Sequence, residues 1–287
     1  MGKPELEMAY ATVRQASFSE LAEVAAAVGV EAISTNMEFR EGSRLGDADI
    51  RSFLADLSVR VSYIDGFGSP LPGMPTGAAL ETYRNFGDRG DVTRVFTTPE
   101  DEFYRAAEAL GADSLNLVHF GGDPATPFAA MVDAVGGVCA RAAAHGLRIV
   151  FEFLPGTAIP TIEHAARLVE QVGAKNFGIL FDTRHWARGG GMVDELSRFA
   201  PMISATQISD LSWATEADPN RLLPGQGELP LVEALAIVRR ARPDVPFGIE
   251  TPSAAMFRLP ALEAARIAGE SLRALVAAVE AAPPFAA

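Results

Sequence analysis

Four apolar segments of the chain each carry one polar side chain that an apolar strand does not need. Ile149-Val150-Phe151-Glu152-Phe153 encloses a carboxylate, and Gly178-Ile179-Leu180-Phe181 runs into Asp182. Ala205-Thr206-Gln207-Ile208 carries an amide, and Phe247-Gly248-Ile249 runs into Glu250. Side chains alternate along a strand, so Glu152, Asp182, Gln207 and Glu250 can point to one side while their neighbours face the other. The three carboxylates among them, brought together in a low-dielectric mouth, would repel one another and be costly to ionise. A divalent cation resolves that conflict, and a set offering only oxygen suits hard ions such as Mg²⁺ or Mn²⁺. The plainer alternative is that each residue makes a buried hydrogen bond of its own.

Positioning such a set requires strands that end side by side. Apolar runs at Leu6–Val13, Glu31–Met37, Val59–Phe67, Asp113–Phe120, Leu147–Leu154, Phe177–Phe181, Ile203–Ser209 and Pro246–Thr251 read as strands. Between them lie stretches with apolar residues at three- and four-residue spacing, such as Phe18–Val28, Ile50–Leu57 and Thr161–Val172. Ser17, Thr98, Asp123 and Thr161 stand where helices open, and Gly29, Gly111, Gly146 and Gly173 where they close. Eight strand–helix units without a break in composition predict one domain over residues 1–287, a single (β/α)8 TIM barrel. An open doubly wound sheet would want a glycine-rich phosphate turn after the first strand, and Ala11–Ser17 has none. The segments Gly66–Thr97 and Ser209–Gly227 are long, whereas the turns entering the strands are short. Long loops at the C-terminal face are where such barrels place their active sites.

Composition narrows the partners. With 24 basic against 37 acidic residues, the net charge is −13, a field that repels a nucleic-acid backbone. No apolar run reaches the ~18 residues of a membrane span, and the N-terminus lacks a signal-peptide pattern. These features predict a cytoplasmic protein with a small-molecule substrate and neither nucleic acid nor membrane as partner; homo-oligomerisation is left open. Only Lys3 and Lys175 are lysines, and neither sits where Schiff-base chemistry would need it. The one cysteine, Cys139, lies in an alanine-rich helical stretch and reads as a core residue.

The order of polar strand-end residues resembles that of the xylose-isomerase-like barrels, the sugar phosphate isomerase/epimerase family. Those proteins place Glu, Asp, His or Gln, and Glu on strands five to eight, and Glu152, Asp182, Gln207 and Glu250 match in that order. The family's Asp-x-x-His is met by Asp182-Thr183-Arg184-His185, and its Arg…Pro-Gly-x-Gly loop by Arg221-Leu-Leu-Pro-Gly-Gln-Gly227. Glutamine in place of histidine at position 207 is the departure from the commonest form, and is associated with hydroxypyruvate-isomerase-like and inosose- or dehydroshikimate-dehydratase-like branches.

The resemblance implies a metal-dependent isomerase or epimerase acting on a small polyhydroxylated carbonyl compound. Glu152 and Glu250 would remove and return the proton next to the carbonyl through an enediolate, with the metal stabilising the developing charge. His185 would contact substrate or carry a proton, and Arg221 would hold a substrate oxygen. His119, at the end of Leu117-Val118-His119, and Trp186 are further candidates for substrate contact. Met74, Phe86, Trp186, Trp213 and Met256 could line a pocket or form a packed loop layer. A lyase sharing the first half of the reaction, as in dehydroshikimate or inosose dehydration, is the nearest rival. A non-catalytic sugar-binding barrel is the second.

Overall fold

The computed structural model describes residues 2–38, 45–84, 86, 91–215 and 220–283. Eight parallel strands run in the order β7-β6-β5-β4-β3-β2-β1-β8. They are β1 (Leu6–Ala9), β2 (Ala32–Asn36), β3 (Arg60–Phe67), β4 (Ser114–Val118), β5 (Arg148–Glu152), β6 (Phe177–Asp182), β7 (Ile203–Gln207) and β8 (Phe247–Ile249). A parallel bridge between Ile208 and Ile249 joins the two outer strands. There the Ile208 N–H donates to Gly248 at 2.7 Å, and the Glu250 N–H donates to Ile208 at 3.0 Å. The sheet is thereby a TIM barrel, as the alternation of strands and helices predicts.

The principal helices are α1 (Phe18–Ala27), α2 (Asp47–Leu57), α3 (Glu100–Leu110), α4 (Phe128–Ala144), α5 (Ile162–Val172), α6 (Thr183–Arg188), α7 (Val193–Phe199), α8 (Leu231–Ala241) and α9 (Ala261–Ala281). Ser17 opens α1 with a reciprocal capping box to Glu20, and Thr161 caps α5 through the His164 N–H. At α3 and α4 the capping positions are Pro99 and Pro127, so Thr98 and Asp123 do not serve there. Asp123 instead turns back on the Ala125 N–H, 2.9 Å away.

All strands but β6 are shorter than their apolar runs imply, β1 most of all. β1 stops at Ala9, and Tyr10–Val13 tightens into a 3₁₀ turn. The Thr12 hydroxyl donates to the Ile249 carbonyl at 3.0 Å and accepts from the Thr251 N–H at 3.1 Å. Those two bonds bend the chain over the end of β8. The main core lies between the barrel and its helices, where Phe18, Leu21, Phe103, Val138, Ile179 and Phe247 are fully enclosed. No helix among the described residues is long and apolar enough to cross a membrane.

Candidate functional site

A second, smaller apolar cluster of Tyr63, Val150, Leu180 and Ala205 fills the barrel interior. Because strand side chains alternate, the interior positions two residues further along the same four strands are Asp65, Glu152, Asp182 and Gln207. Three of these, Glu152, Asp182 and Gln207, are the last residues of β5, β6 and β7, and Glu250 follows β8 directly. The four residues are staggered in height: Asp182 pairs in register with Gln207, while Glu152 pairs with Leu180. Barrel closure requires tilted, offset strands, so equivalent positions climb around the ring.

Two of their side chains, Glu152 and Asp182, still converge with His185. One donor atom each from Glu152, Asp182 and His185 lies within 4.8 Å of the others. His185 Nε2 is 3.4 Å from Glu152 Oε1 and 3.7 Å from Asp182 Oδ2. Asp182 also caps α6, accepting the His185 N–H at 2.9 Å, so the same carboxylate orients the helix that presents the histidine. Glu152 Oε2 accepts from Asn116 Nδ2 at 2.8 Å, and that amide donates to Asp65 at 2.6 Å as well. Asn116 was not among the residues read from the sequence. Its signal was the same as theirs, a lone polar group within the apolar Leu115-Asn116-Leu117.

Arg221 sits among the carboxylates. Its Nη1 is 2.6 Å from Asp182 Oδ2 and 2.8 Å from Glu250 Oε2, with all three side chains buried. Burial works against the charge on Asp182, but Arg221 and His185 hold its carboxyl below the usual aspartate value. Glu250 goes the other way: burial pushes it up to about 8, Arg221 opposes this, and the nearby Asp182, Asp65 and Glu152 add to the rise. One guanidinium thus serves two enclosed carboxylates and favours the charged form of Asp182 more than that of Glu250.

Asp210 places Arg221. Its Oδ1 accepts the N–H groups of Leu211 at 2.9 Å and Leu229 at 3.0 Å, and its Oδ2 those of Gly225 and Gly227 at 3.0 Å each. The Pro-Gly-Gln-Gly stretch is thus wrapped around one buried carboxylate. Gly225 takes a φ of +85°, and a Cβ on Gly227 would lie 2.4 Å from Asp210 Oδ1, so both positions require glycine. The glycines of this loop are legible in the sequence, whereas the aspartate that organises them shows its role only in the folded chain.

Two candidates for substrate contact lie elsewhere. His119 is fully buried, with Nε2 2.9 Å from the Pro72 carbonyl and Nδ1 3.3 Å from the Ala158 N–H. Both ring nitrogens are engaged by backbone, so His119 ties the loops after β3 and β5 together, and burial lowers its pKa. Trp186 is 2 % exposed and packs on Phe181, with ring centroids 5.6 Å apart. Adjacent residues on a helix do not share a face, so α6 turns Trp186 into the core as it turns His185 toward the carboxylates. A Cβ on Gly191 would lie 2.0 Å from the Trp186 indole nitrogen. The Gly189-Gly190-Gly191 run therefore makes room for the indole.

Above the carboxylates opens a cavity of about 590 Å³, lined by Glu152, His185, Arg221 and Glu250 together with Phe86, Val92, Val95, Phe120, Leu154 and Phe257. Neither His119 nor Trp186 contributes to its wall.

The fold is shared with known structures. The IolI protein with a bound zinc atom superposes with a TM-score of 0.77 at 17 % identity, covering 95 % of this chain and 98 % of that one. D-psicose 3-epimerase from Clostridium cellulolyticum H10, with D-tagatose, superposes with a TM-score of 0.70 at 14 % identity, covering 96 % and 99 %. In sequence, the chain is 27 % identical over 140 residues to an inosose isomerase of Bacillus velezensis (strain DSM 23117 / BGSC 10A6 / LMG 26770 / FZB42). That match spans 46 % of this chain and 49 % of the relative, about half the length of each. The family model for xylose isomerase-like TIM barrels matches residues 22–278, and with the observed eight-stranded barrel it establishes that the chain belongs to that family.

Proposed function

We propose that the protein is a divalent-metal-dependent isomerase or epimerase of a small polyhydroxylated carbonyl compound, a sugar or a keto acid. The reaction would be proton abstraction at the carbon next to the carbonyl. The observation that carries this reading is the convergence of the buried Asp182 with Glu152 and His185, which line an open cavity.

The donor set fits a divalent ion. Gln207 Oε1 and His185 Nδ1 are buried without hydrogen-bond partners among the described residues, while Glu250 Oε2 is paired with the Arg221 guanidinium. Buried polar atoms left in that state are uncommon unless a site uses them. Glu152, Asp182, Gln207 and Glu250 would hold the ion, and their oxygens favour Mg²⁺ or Mn²⁺. When bound, such an ion supplies Lewis acidity to adjacent carbonyl and hydroxyl oxygens.

The chain's own groups supply the rest. Glu250 lines the cavity and, as a carboxylate that would hold the ion, can take a proton from the substrate or return it. Glu152 is steadied through one oxygen by Asn116 while its other oxygen faces His185, which suits it to accept a proton. His185 lies between the carboxylates and the cavity and can hold a substrate oxygen or pass a proton along. Arg221 restrains Asp182 and Glu250 and faces the same space.

The test is exchange in D₂O with Mg²⁺- or Mn²⁺-loaded protein and a panel of ketoses and keto acids, followed by NMR. An isomer of unchanged heavy-atom composition, carrying deuterium at the exchanged carbon, supports the proposal. An unsaturated product absorbing in the ultraviolet replaces it with a lyase. Binding without exchange replaces it with a sugar-binding barrel. Glu152→Gln and Glu250→Gln should each reduce exchange by at least ~10²–10⁴-fold, the usual contribution of a general base or acid.

A further inference from the structure

We propose that Asp65 is a positioning residue: it sets the plane of the Asn116 amide, and through that amide it sets the direction of Glu152. The inference rests on the role given to Glu152 above and adds to it a control that lies two strands away.

The first observation is that two carboxylates share one amide. Asn116 Nδ2 donates to Asp65 Oδ1 at 2.6 Å and to Glu152 Oε2 at 2.8 Å, so both of its hydrogens go to carboxylates. These come from β3 and β5, the strands on either side of β4. The two N–H bonds of a primary amide lie in one plane at a fixed angle, so an acceptor on one aims the other. The last side-chain torsion of asparagine has no sharp rotamer, and its partners must fix it. Asn116 is fully buried, and its Oδ1 has no hydrogen-bond partner among the described residues. No hydrogen bond on the oxygen side holds the plane, so that task falls to Asp65.

The second observation is how β3 delivers Asp65. Ile64 pairs with Leu115 and Phe67 with Leu117, so Asp65 and Gly66 together face the single residue Asn116. That is a β-bulge, a device that re-aims a side chain near a strand end. On its other edge β3 stays in register there, with Asp65 opposite Asn36 of β2. Gly66 takes a φ of +77°, and a Cβ on it would lie 3.2 Å from Val95 Cγ2, so the bulge requires glycine. The irregularity falls at the one level of β3 that faces the Asn116 amide. Asp65, Gly66 and Glu152 all line the cavity.

The third observation is the other oxygen of Glu152. With Oε2 held by Asn116, Oε1 is the atom that lies 3.4 Å from His185 Nε2. A turn of the Asn116 amide would release Oε2 and let the whole carboxylate swing away from His185 and Asp182. A base works only within hydrogen-bond reach of the proton it takes, so small errors of direction are costly. Groups that orient a ligand from behind contribute roughly 10–100-fold to metal affinity or activity.

Asp65 also attracts any cation in the site by its charge, so charge must be separated from positioning. Asp65→Asn removes the charge and keeps a carbonyl acceptor for the Asn116 N–H, whereas Asp65→Ala removes both. The experiment is Mn²⁺ titration of the parent and both variants, read by electron paramagnetic resonance, with Asn116 present and in an Asn116→Ala background. With Asn116 present, Asp65→Ala should bind Mn²⁺ about tenfold or more weakly than Asp65→Asn. Without Asn116 the two should bind alike, because the acceptor has no amide to hold. The same ordering should appear in kcat for deuterium exchange, with KM little changed. Gly66→Ala leaves every polar group in place and disturbs only the bulge. It should also lower Mn²⁺ affinity, and it serves as the test where Asn116→Ala does not fold.

Equal affinities of Asp65→Asn and Asp65→Ala with Asn116 present, or a difference that persists without Asn116, overturns the proposal. So does parental affinity in Gly66→Ala, or no Mn²⁺ binding by the parent. A lower melting temperature with parental Mn²⁺ affinity reduces Asp65 and Asn116 to a structural pair and overturns it as well. Deuterium exchange reads the underlying reaction separately. Coupling of Asp65 to Asn116 in Mn²⁺ binding, without exchange on any substrate, removes the isomerase reading and leaves the positioning role standing. Exchange without that coupling does the reverse.

Discussion

Gln207 donates its amide N–H to the Tyr63 hydroxyl at 3.2 Å, and this bond decides which way the amide faces. With Nε2 engaged, Oε1 is the atom left free, buried and without a partner among the described residues. Tyr63 is itself 1 % exposed within the barrel interior, so the hydroxyl has little freedom to move. A group that fixes the orientation of a ligand typically contributes 10–100-fold to metal affinity. Tyr63→Phe should therefore weaken Mn²⁺ binding by about tenfold or more. A fluorescence or calorimetric titration checks this, and unchanged affinity would mean that the amide orientation does not depend on Tyr63.

Gln207 also sets the expected choice of ion. An amide oxygen is a harder donor than imidazole, so Gln207→His should bind Zn²⁺ more tightly relative to Mg²⁺ than the parent does. Competition titrations with both ions on both proteins give the ratio. A Zn²⁺/Mg²⁺ preference that does not move would remove position 207 from the metal site.

The Asp210 carboxylate serves four backbone N–H groups across the loop that carries Arg221. Asp210→Asn keeps one acceptor oxygen and turns an amide NH₂, itself a donor, toward two of those N–H groups. The loss should be about 2–4 kcal/mol in urea unfolding, given the usual cost of buried donors left unpaired. KM should rise more than kcat falls, because Arg221 loses its placement while Glu152 is untouched. A variant with parental stability and KM would show that the loop is held by other contacts.

Glu7 provides a pH test at a buried carboxyl that does not line the cavity. It is 2 % exposed inside the barrel, and burial pushes its carboxyl from 4.5 up to about 7 against the opposing effects of Ser62 and Arg60. The unfolded chain loses this proton near the ordinary glutamate value, whereas the folded chain keeps it to about 7. Stability from this group is thus complete below about 4.5 and falls as pH rises to about 7. The shift corresponds to about 3 kcal/mol. Glu7→Gln should remove that part of the slope, so its stability relative to the parent should improve between pH 5 and pH 8. Parallel pH profiles for the two proteins would contradict the assignment.

The barrel was legible in the chain because strand and helix periodicities and the contrast of short and long connections are local properties. The same local alternation placed Glu152, Asp182, Gln207 and Glu250 at strand ends, since a polar side chain in an apolar run must be accommodated somewhere. What the sequence could not determine is what each polar group meets. His119 and His185 look alike as polar residues near the barrel mouth, yet one is fastened to the Pro72 and Ala158 backbones and the other faces Glu152. Trp186 and His185 are neighbours in the chain, and the rotation of a single helical residue separates core from cavity. Arg221, from the loop after β7, finds Asp182 at the end of β6 and Glu250 after β8, while Asp210 gathers the N–H groups of that loop. Asn116 finds Glu152 on the next strand, again through a contact between segments far apart in the chain. Local pattern determines which residues reach the mouth of the barrel. Register, strand stagger and loop packing decide which of them touch, because those distances depend on segments far apart in the chain.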